Sequence, residues 1–99
     1  MITITAIIRA KPGQEEAMRA ALLDVAAHVA AEEPETLGFY LSQSLADPAV
    51  FTTYERFANE AAMERHNGSP ATARFFALGP ELIEGDVILE TCREYSAKA

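Results

Sequence analysis

Hydrophobic residues recur with a period of two in four segments of the chain. These segments are Ile2–Arg9, Leu37–Leu45, Val50–Phe57 and Asp86–Tyr95. A period of two places successive side chains on opposite faces, so each segment is predicted to form a β-strand. A turn at Asp47–Pro48 separates the two middle segments, which predicts that they pair as an antiparallel hairpin.

The segments between these strands have a helical period instead. From Gln14 to Glu33 the buried positions are expected at Met18, Leu22, Val25 and Val29, at spacings of four, three and four residues. This helix is predicted to end before Pro34, because a residue that precedes proline disfavours the helical conformation. After the third strand, Asn59 is a candidate N-cap for a helix over Glu60–Asn67, and Ala71–Leu78 is predicted to be a short helix.

The resulting order, βαββαβ, is that of a ferredoxin-like α+β fold, a four-stranded antiparallel sheet with its helices on one face. The 99 residues suit one domain, 1–99, with one core. Both faces of the third strand carry apolar groups. A second copy related by a two-fold axis would cover the face without helices, so we expect a homodimer, arranged as a dimeric α+β barrel.

Charge and composition narrow the classes of partner. The net charge is −7, and the eight Lys and Arg residues are scattered along the chain, which argues against nucleic acid as a partner. There is no apolar run of the roughly 20 residues that a membrane span needs, and the first residues do not resemble a leader. We therefore expect a cytoplasmic protein without a membrane partner, with its one cysteine, Cys92, in the core or at an interface.

Few motifs of known chemistry are present. The sequence has no P-loop, no GxGxxG, no CxxC, no HExxH and no GxSxG motif. Its two histidines, His28 and His66, and its single cysteine supply few ligands for a transition metal. Neither a metal site nor a cofactor is predicted.

His66 is the first candidate for acid–base chemistry. It shares a helix face with Ala62 and Met63, so its side chain is predicted to face the sheet. One interpretation is a proton donor or acceptor that lines a pocket, because histidine titrates near neutral pH. The other is a histidine that is hydrogen-bonded inside the core. His28, at the edge of the first helix's apolar stripe, is either a flanking residue or the border of a cavity.

Glu55 and the aromatic residues are the other candidates. Glu55 lies in the middle of a strand that is expected to be covered, where a carboxylate needs a partner or has a shifted pKa. It is either catalytic or a structural partner, and Tyr54 is either a pocket residue or a packing residue. The phenylalanines suffice to line a cavity for a flat aromatic ligand, or to form an ordinary core; they are Phe39, Phe51, Phe57, Phe75 and Phe76.

The order of elements and the segment SLADPAVFTTYERFANEAAMERHNGSPATARFF resemble the antibiotic biosynthesis monooxygenase family, also called quinol monooxygenase-like. The resemblance covers almost the whole chain. Its landmarks are Lys11-Pro12-Gly13, Glu33-Pro34, Leu37-Gly38, Asp47-Pro48, Tyr54-Glu55, His66 and Ser69-Pro70. It implies dimers of ferredoxin-like subunits, each with a hydrophobic cavity between sheet and helices.

Known activities of that family include cofactor-independent oxidation of quinols and polyketide anthrones, haem degradation and isomerisation of a small signalling molecule. The haem-degrading branch has an axial histidine where this chain has Phe75 and Phe76, and an asparagine near Ala6. The best-known anthrone-oxidising branch has an asparagine near Thr53, a tryptophan at Phe57 and an arginine near Phe76. Since these residues differ here, the resemblance carries over the family and not the mechanism of either branch.

The resulting hypothesis is a monooxygenase without cofactor that oxidises quinols or related phenolic or polyketide aromatics with dioxygen. A deprotonated hydroquinone can itself reduce dioxygen, so the protein needs only to assist proton removal, hold the ring and exclude water. His66 is then the base or proton shuttle, and Glu55 orients it or accepts a substrate hydroxyl. Thr53 and Tyr54 contact the substrate, and Phe51, Phe57 and Phe76 form apolar walls. The alternatives are a binding or isomerising protein of the same fold without oxygen chemistry, and a dimer with a filled core.

Overall fold

A computed structural model describes residues 1–98 of the chain. In chain order its elements are β1 (Ile2–Arg9), α1 (Glu15–Glu32), β2 (Thr36–Gln43), β3 (Val50–Phe57), α2 (Glu60–Asn67), α3 (Pro70–Ala77), α4 (Gly79–Leu82) and β4 (Ile88–Arg93). The four strands form one antiparallel sheet in the order β2-β3-β1-β4. The ferredoxin-like α+β fold is therefore confirmed.

The helices cover one face of this sheet, where the main core lies. The residues predicted for the apolar stripe of α1, Met18, Leu22, Val25 and Val29, are all buried. They pack in one cluster with Ile8 of β1, Phe51 of β3 and Phe75 of α3, among others. Burial of this apolar surface is the main force that holds α1 on the sheet.

Local signals placed most boundaries well. Asn59 caps α2 by accepting a hydrogen bond from the backbone N–H of Ala62 at 2.9 Å, and α2 has the predicted bounds. The short helix α4 was not predicted, because its four residues are too few to show a helical period. Proline fits at its start, where its missing N–H is not needed.

The strand β3 separates two different surfaces. Phe51, Thr53, Glu55 and Phe57 point to the helices and are buried, whereas Tyr54 and Arg56 point to the other face. We call that second surface the open face, since no helix within residues 1–98 covers it. Cys92 lies there and is exposed. Of its two predicted places, the core is therefore wrong, and an interface stays a prediction.

Candidate functional site

A cavity of about 60 Å³ lies between the sheet and the helices. Its wall is apolar except on one side, where the polar residues are Thr53, Glu55, His66, Asn67 and Thr72. Phe76 and Leu89, both substantially exposed, stand at its rim. The cavity is therefore an apolar space with polar groups gathered at one wall, as is usual for small-molecule sites.

His66 reaches this wall from the last turn of α2. Only 4% of the residue is exposed. Its carbonyl oxygen accepts hydrogen bonds from the Thr72 hydroxyl at 2.9 Å and from the Ser69 N–H at 3.1 Å, which fixes the end of the helix. Its ring lies against two aromatic rings, with centroids 5.8 Å from that of Phe39 and 5.4 Å from that of Phe57.

A carboxylate faces each nitrogen of the His66 ring. Nδ1 is hydrogen-bonded to Glu33 Oε1 at 2.8 Å, and Nε2 lies 3.1 Å from Glu55 Oε1. The side chains of all three residues are at most 10% exposed. The site is thus a buried Glu–His–Glu row that runs from the end of α1 to β3.

Glu55 is the member of this row that belongs to the sheet. It lies two residues after Thr53, so both side chains are on the same face, and the Thr53 hydroxyl donates to Glu55 Oε2 at 2.8 Å. A carboxylate has about four lone-pair sites. Glu55 can therefore hold His66 and Thr53 and still accept a hydrogen bond from a hydroxyl in the cavity.

Glu33 is positioned by the end of α1. It leaves the helical conformation, with φ −123° and ψ 75°, in front of Pro34. Its Oε1 also accepts from the Thr36 hydroxyl at 2.9 Å. Its Oε2 is 3.3 Å from His28 Nε2, an ion-pair distance without hydrogen-bond geometry. His28 lines a separate cleft on the outer surface.

The pKa of His66 is shifted by opposing causes. Burial is the largest single effect and lowers the pKa, because it disfavours the charged ring. Hydrogen bonding to Glu55 and then to Glu33, with the charges of both carboxylates, outweighs burial and raises the pKa above the usual value of 6.5. The two carboxylates therefore favour the doubly protonated ring more than water does in an ordinary histidine.

Only some of the predicted site residues meet at this cavity. His66, Glu55, Thr53 and Phe76 all line it. Phe57 packs behind the His66 ring, and Phe51 is fully buried in the core, so neither forms part of the lining.

Tyr54 lies on the open face, away from the cavity. Its hydroxyl donates to Glu94 Oε2 at 3.3 Å, and its ring stacks on Tyr40 with a centroid distance of 6.2 Å. A substrate in the described cavity does not reach it. The alternation within β3 separates Tyr54 from Glu55, because neighbouring strand residues point to opposite faces.

Residues that the sequence did not single out complete the site. Asn67 and Thr72 line the cavity, and Glu33 holds the far nitrogen of His66. The signal for Thr72 was its place three residues after the helix cap Ser69. In the sequence Glu33 is marked by the proline that follows it, and no local pattern indicates that its side chain turns inward.

Residues 1–98 contain neither a candidate metal site nor a candidate membrane-spanning helix. No group of three or more His, Cys, Asp or Glu side chains there is arranged to hold a metal ion. No helix in the same part of the chain is both long enough and apolar enough to cross a membrane.

Comparison with known proteins gave one family. The sequence profile of the antibiotic biosynthesis monooxygenase family matches residues 1–78, which include β1 to α3 and hence His66, Glu55 and Glu33. No curated protein matches the chain significantly.

Several solved structures are similar to this chain over most of their length. A Shewanella oneidensis protein is 29% identical, with 92% of this chain and 87% of that one covered and a TM-score of 0.86. A Pseudomonas aeruginosa protein is 28% identical, with 96% and 94% covered and a TM-score of 0.87. A structure named antibiotic biosynthesis monooxygenase, only 19% identical, covers 97% of this chain and 100% of its own with a TM-score of 0.87, and shows the shared fold alone.

Proposed function

Because the chain belongs to the antibiotic biosynthesis monooxygenase family, we propose that it is a monooxygenase that oxidises quinols or related phenolic or polyketide aromatics with dioxygen and without a cofactor. One observation supports this most. A buried carboxylate, Glu55, with unused lone pairs, stands at the polar wall of an apolar cavity and is paired with His66. Such a wall can remove a proton from a phenol while the apolar remainder holds the ring and excludes water.

In this proposal Glu55, rather than His66, receives the substrate proton. Both nitrogens of His66 already face carboxylates at 2.8 and 3.1 Å, so a substrate hydroxyl finds its acceptor at Glu55. Transfer of the proton moves one negative charge from Glu55 to the substrate and leaves the net charge of the site unchanged. The imidazolium of His66 stabilises that negative charge from behind.

The deprotonated ring is the reductant for dioxygen. It gives up an electron, and the two radicals that result combine into a carbon–oxygen bond. The oxygen–oxygen bond of this peroxide then breaks, one oxygen stays on the ring carbon, and the other leaves as water with the two hydrogens that the substrate has lost. Glu55 returns its proton to the departing oxygen. Four electrons pass from substrate to dioxygen, so no external reductant is needed.

The cavity volume limits how the substrate lies. An engineered cavity of about 150 Å³ binds benzene, whereas this cavity measures about 60 Å³. A fused aromatic ring therefore places its hydroxyl at Glu55 and extends towards the rim. There Phe76 and Leu89 are both partly exposed, so a ring that extends from the cavity would contact their side chains.

We also propose a homodimer that forms through the open face. Large apolar or aromatic side chains are exposed there, namely Ile7, Tyr40, Tyr54 and Ile88. A second copy that covers them removes this apolar area from water. Sedimentation equilibrium should show a dimer that Ile7→Lys dissociates, while Leu23→Lys, an exposed site on α1, leaves it intact. Monomeric wild-type protein would contradict this assembly.

Oxygen uptake tests the reaction. Metal-stripped wild-type protein should consume dioxygen with a naphthohydroquinone or an anthrone, and Glu55→Gln should reduce the rate by about 100-fold or more, the usual contribution of a positioned acid–base group. His66→Ala should also reduce it. Glu35→Gln, an exposed change outside the cavity, serves as the control and should retain full activity.

Two results would overturn this function. Equal rates for wild type, Glu55→Gln and His66→Ala would remove the acid–base role. A rise in melting temperature with the aromatic ligand but no oxygen uptake would instead favour a binding or isomerising protein of the same fold.

A further inference from the structure

The carboxylate of Glu33 is the feature that the proposed chemistry leaves unused. It is at the far side of His66 from the cavity, and its side chain is only 10% exposed. It therefore cannot touch a substrate in the cavity. It does touch the one ring that holds Glu55, through the 2.8 Å hydrogen bond to Nδ1.

The placement of two carboxylates dictates the charge of the ring between them. A neutral imidazole has one N–H and one lone pair, whereas imidazolium has two N–H groups. With Glu33 and Glu55 facing opposite nitrogens, a neutral ring would direct its lone pair at a carboxylate oxygen. While both carboxyl groups are ionised, only the doubly protonated ring gives each of them a donor.

The other groups around His66 do not supply a competing charge. From β2 and β3 the ring meets Phe39 and Phe57, and the Thr72 hydroxyl of α3 bonds its backbone carbonyl. Among the described residues, no Lys or Arg forms an ion pair with Glu33 or Glu55. The other histidine near the row is His28, whose Nε2 lies 3.3 Å from Glu33 Oε2. Glu33 and Glu55 are thus the two anions that set the state of His66.

We propose that Glu33 is a positioning residue that holds His66 as an imidazolium and fixes its ring, so that Glu55 and not the histidine takes the substrate proton. The role of Glu33 in catalysis rests on the proposed function. Its effect on the charge of His66 does not depend on that function. The Thr36 hydroxyl holds the Glu33 carboxylate in place by its hydrogen bond to Oε1, and His28 lies 3.3 Å from Oε2 on the side of the outer cleft.

Nuclear magnetic resonance of the His66 ring nitrogens tests this directly. In Glu33→Gln the amide still accepts a hydrogen bond but lacks the charge, so the pKa of His66 should fall by about 1 or more, the size expected for the loss of an adjacent opposite charge. Glu35→Gln is the matched control. It also removes one negative charge, two residues away, but from an exposed pair with Arg65, and should leave the pKa of His66 unchanged.

Activity gives a second readout. The pH at which oxygen uptake declines on the alkaline side should move to lower pH in Glu33→Gln, and Glu33→Asp, which retains the charge, should restore part of the difference. If Glu33→Gln does not fold, Glu33→Asp and Thr36→Val still test the contact, and each should lower the pKa of His66 by less. A pKa of His66 equal in wild type and the Glu33 variants would overturn the proposal.

The two proposals fail separately. Absence of oxygen uptake in wild type with a lowered pKa in Glu33→Gln would reject the monooxygenase function and support the role of Glu33. Oxygen uptake that depends on Glu55, with an unchanged pKa of His66 in Glu33→Gln, would support the monooxygenase function and reject the role of Glu33.

Discussion

Two neighbouring residues of α2 pair with the two glutamates that flank Pro34. One of these pairs is exposed to water and the other is buried. Arg65 pairs with Glu35 at 2.6 Å, with side chains 58% and 52% exposed, whereas His66 pairs with Glu33 at 2.8 Å, with side chains 5% and 10% exposed. The contact distances are similar. The two pairs differ in their exposure to water. This exposure decides which of them can alter a pKa or a reaction, because water screens the charges of an exposed pair.

The backbone explains why adjacent residues differ so much. Successive helix residues point about 100° apart, so Arg65 faces outward when His66 faces the sheet. Pro34 separates the two glutamates, and Glu33 in front of it leaves the helix with its side chain turned inward. The exposed pair stands in water, whereas in the buried pair His66 lines the cavity and Glu33 lies behind it.

The largest expected difference between the pairs is in stability. Replacing His66 with Leu leaves two buried carboxylates without their partner, which should lower the free energy of unfolding by about 3 to 5 kcal/mol. Replacing Arg65 with Leu should cost no more than about 1 kcal/mol, because that pair is exposed. Urea unfolding measures both, and equal losses would mean that burial does not distinguish the pairs.

The pH dependence of stability should sharpen the same contrast. The pKa of His66 in the folded protein is raised above the unfolded value of about 6.5. Its contribution is therefore fully present below pH of about 6.5 and is lost as the pH rises through the folded pKa. The free energy of unfolding should fall across this window in wild type and in Arg65→Leu. In His66→Leu this decline should be absent, and its persistence there would assign it to another group.

The smallest expected effect is that of salt on the exposed pair of Arg65 with Glu35. Raising the ionic strength from about 0.1 M to about 1 M shortens the screening length from about 10 Å to about 3 Å. The coupling energy of Arg65 with Glu35, from a double-mutant cycle, should then approach zero. The coupling of His66 with Glu55 should change little, and a similar loss for both pairs would show that water reaches the inner one.

Sequence was a good guide to the fold because its signals are local. The spacing of Met18, Leu22, Val25 and Val29 predicted the buried side of α1, and Asn59 predicted the start of α2. Helix period also directed His66 to the sheet, and its place in the middle of a strand marked Glu55 as buried. Each of these inferences needs only residues within a turn or two of chain.

The remainder of the site depends on distant contacts. Glu33 and His66 are 33 positions apart, and no local pattern brings them together. The sequence also did not indicate which face of β3 would line the cavity, and therefore could not separate Thr53 and Glu55 from Tyr54. That choice depends on which face the helices cover, a property of the whole fold.

The most direct test of the account is oxidation of a naphthohydroquinone or an anthrone by metal-free protein under isotopically heavy dioxygen, with mass spectrometry of the product. We predict one heavy oxygen in each product molecule and the other in water, at a rate that Glu55→Gln lowers by about 100-fold or more and Glu35→Gln does not change. Product without heavy oxygen, or formed equally fast by Glu55→Gln, would contradict a monooxygenase in which Glu55 takes the proton.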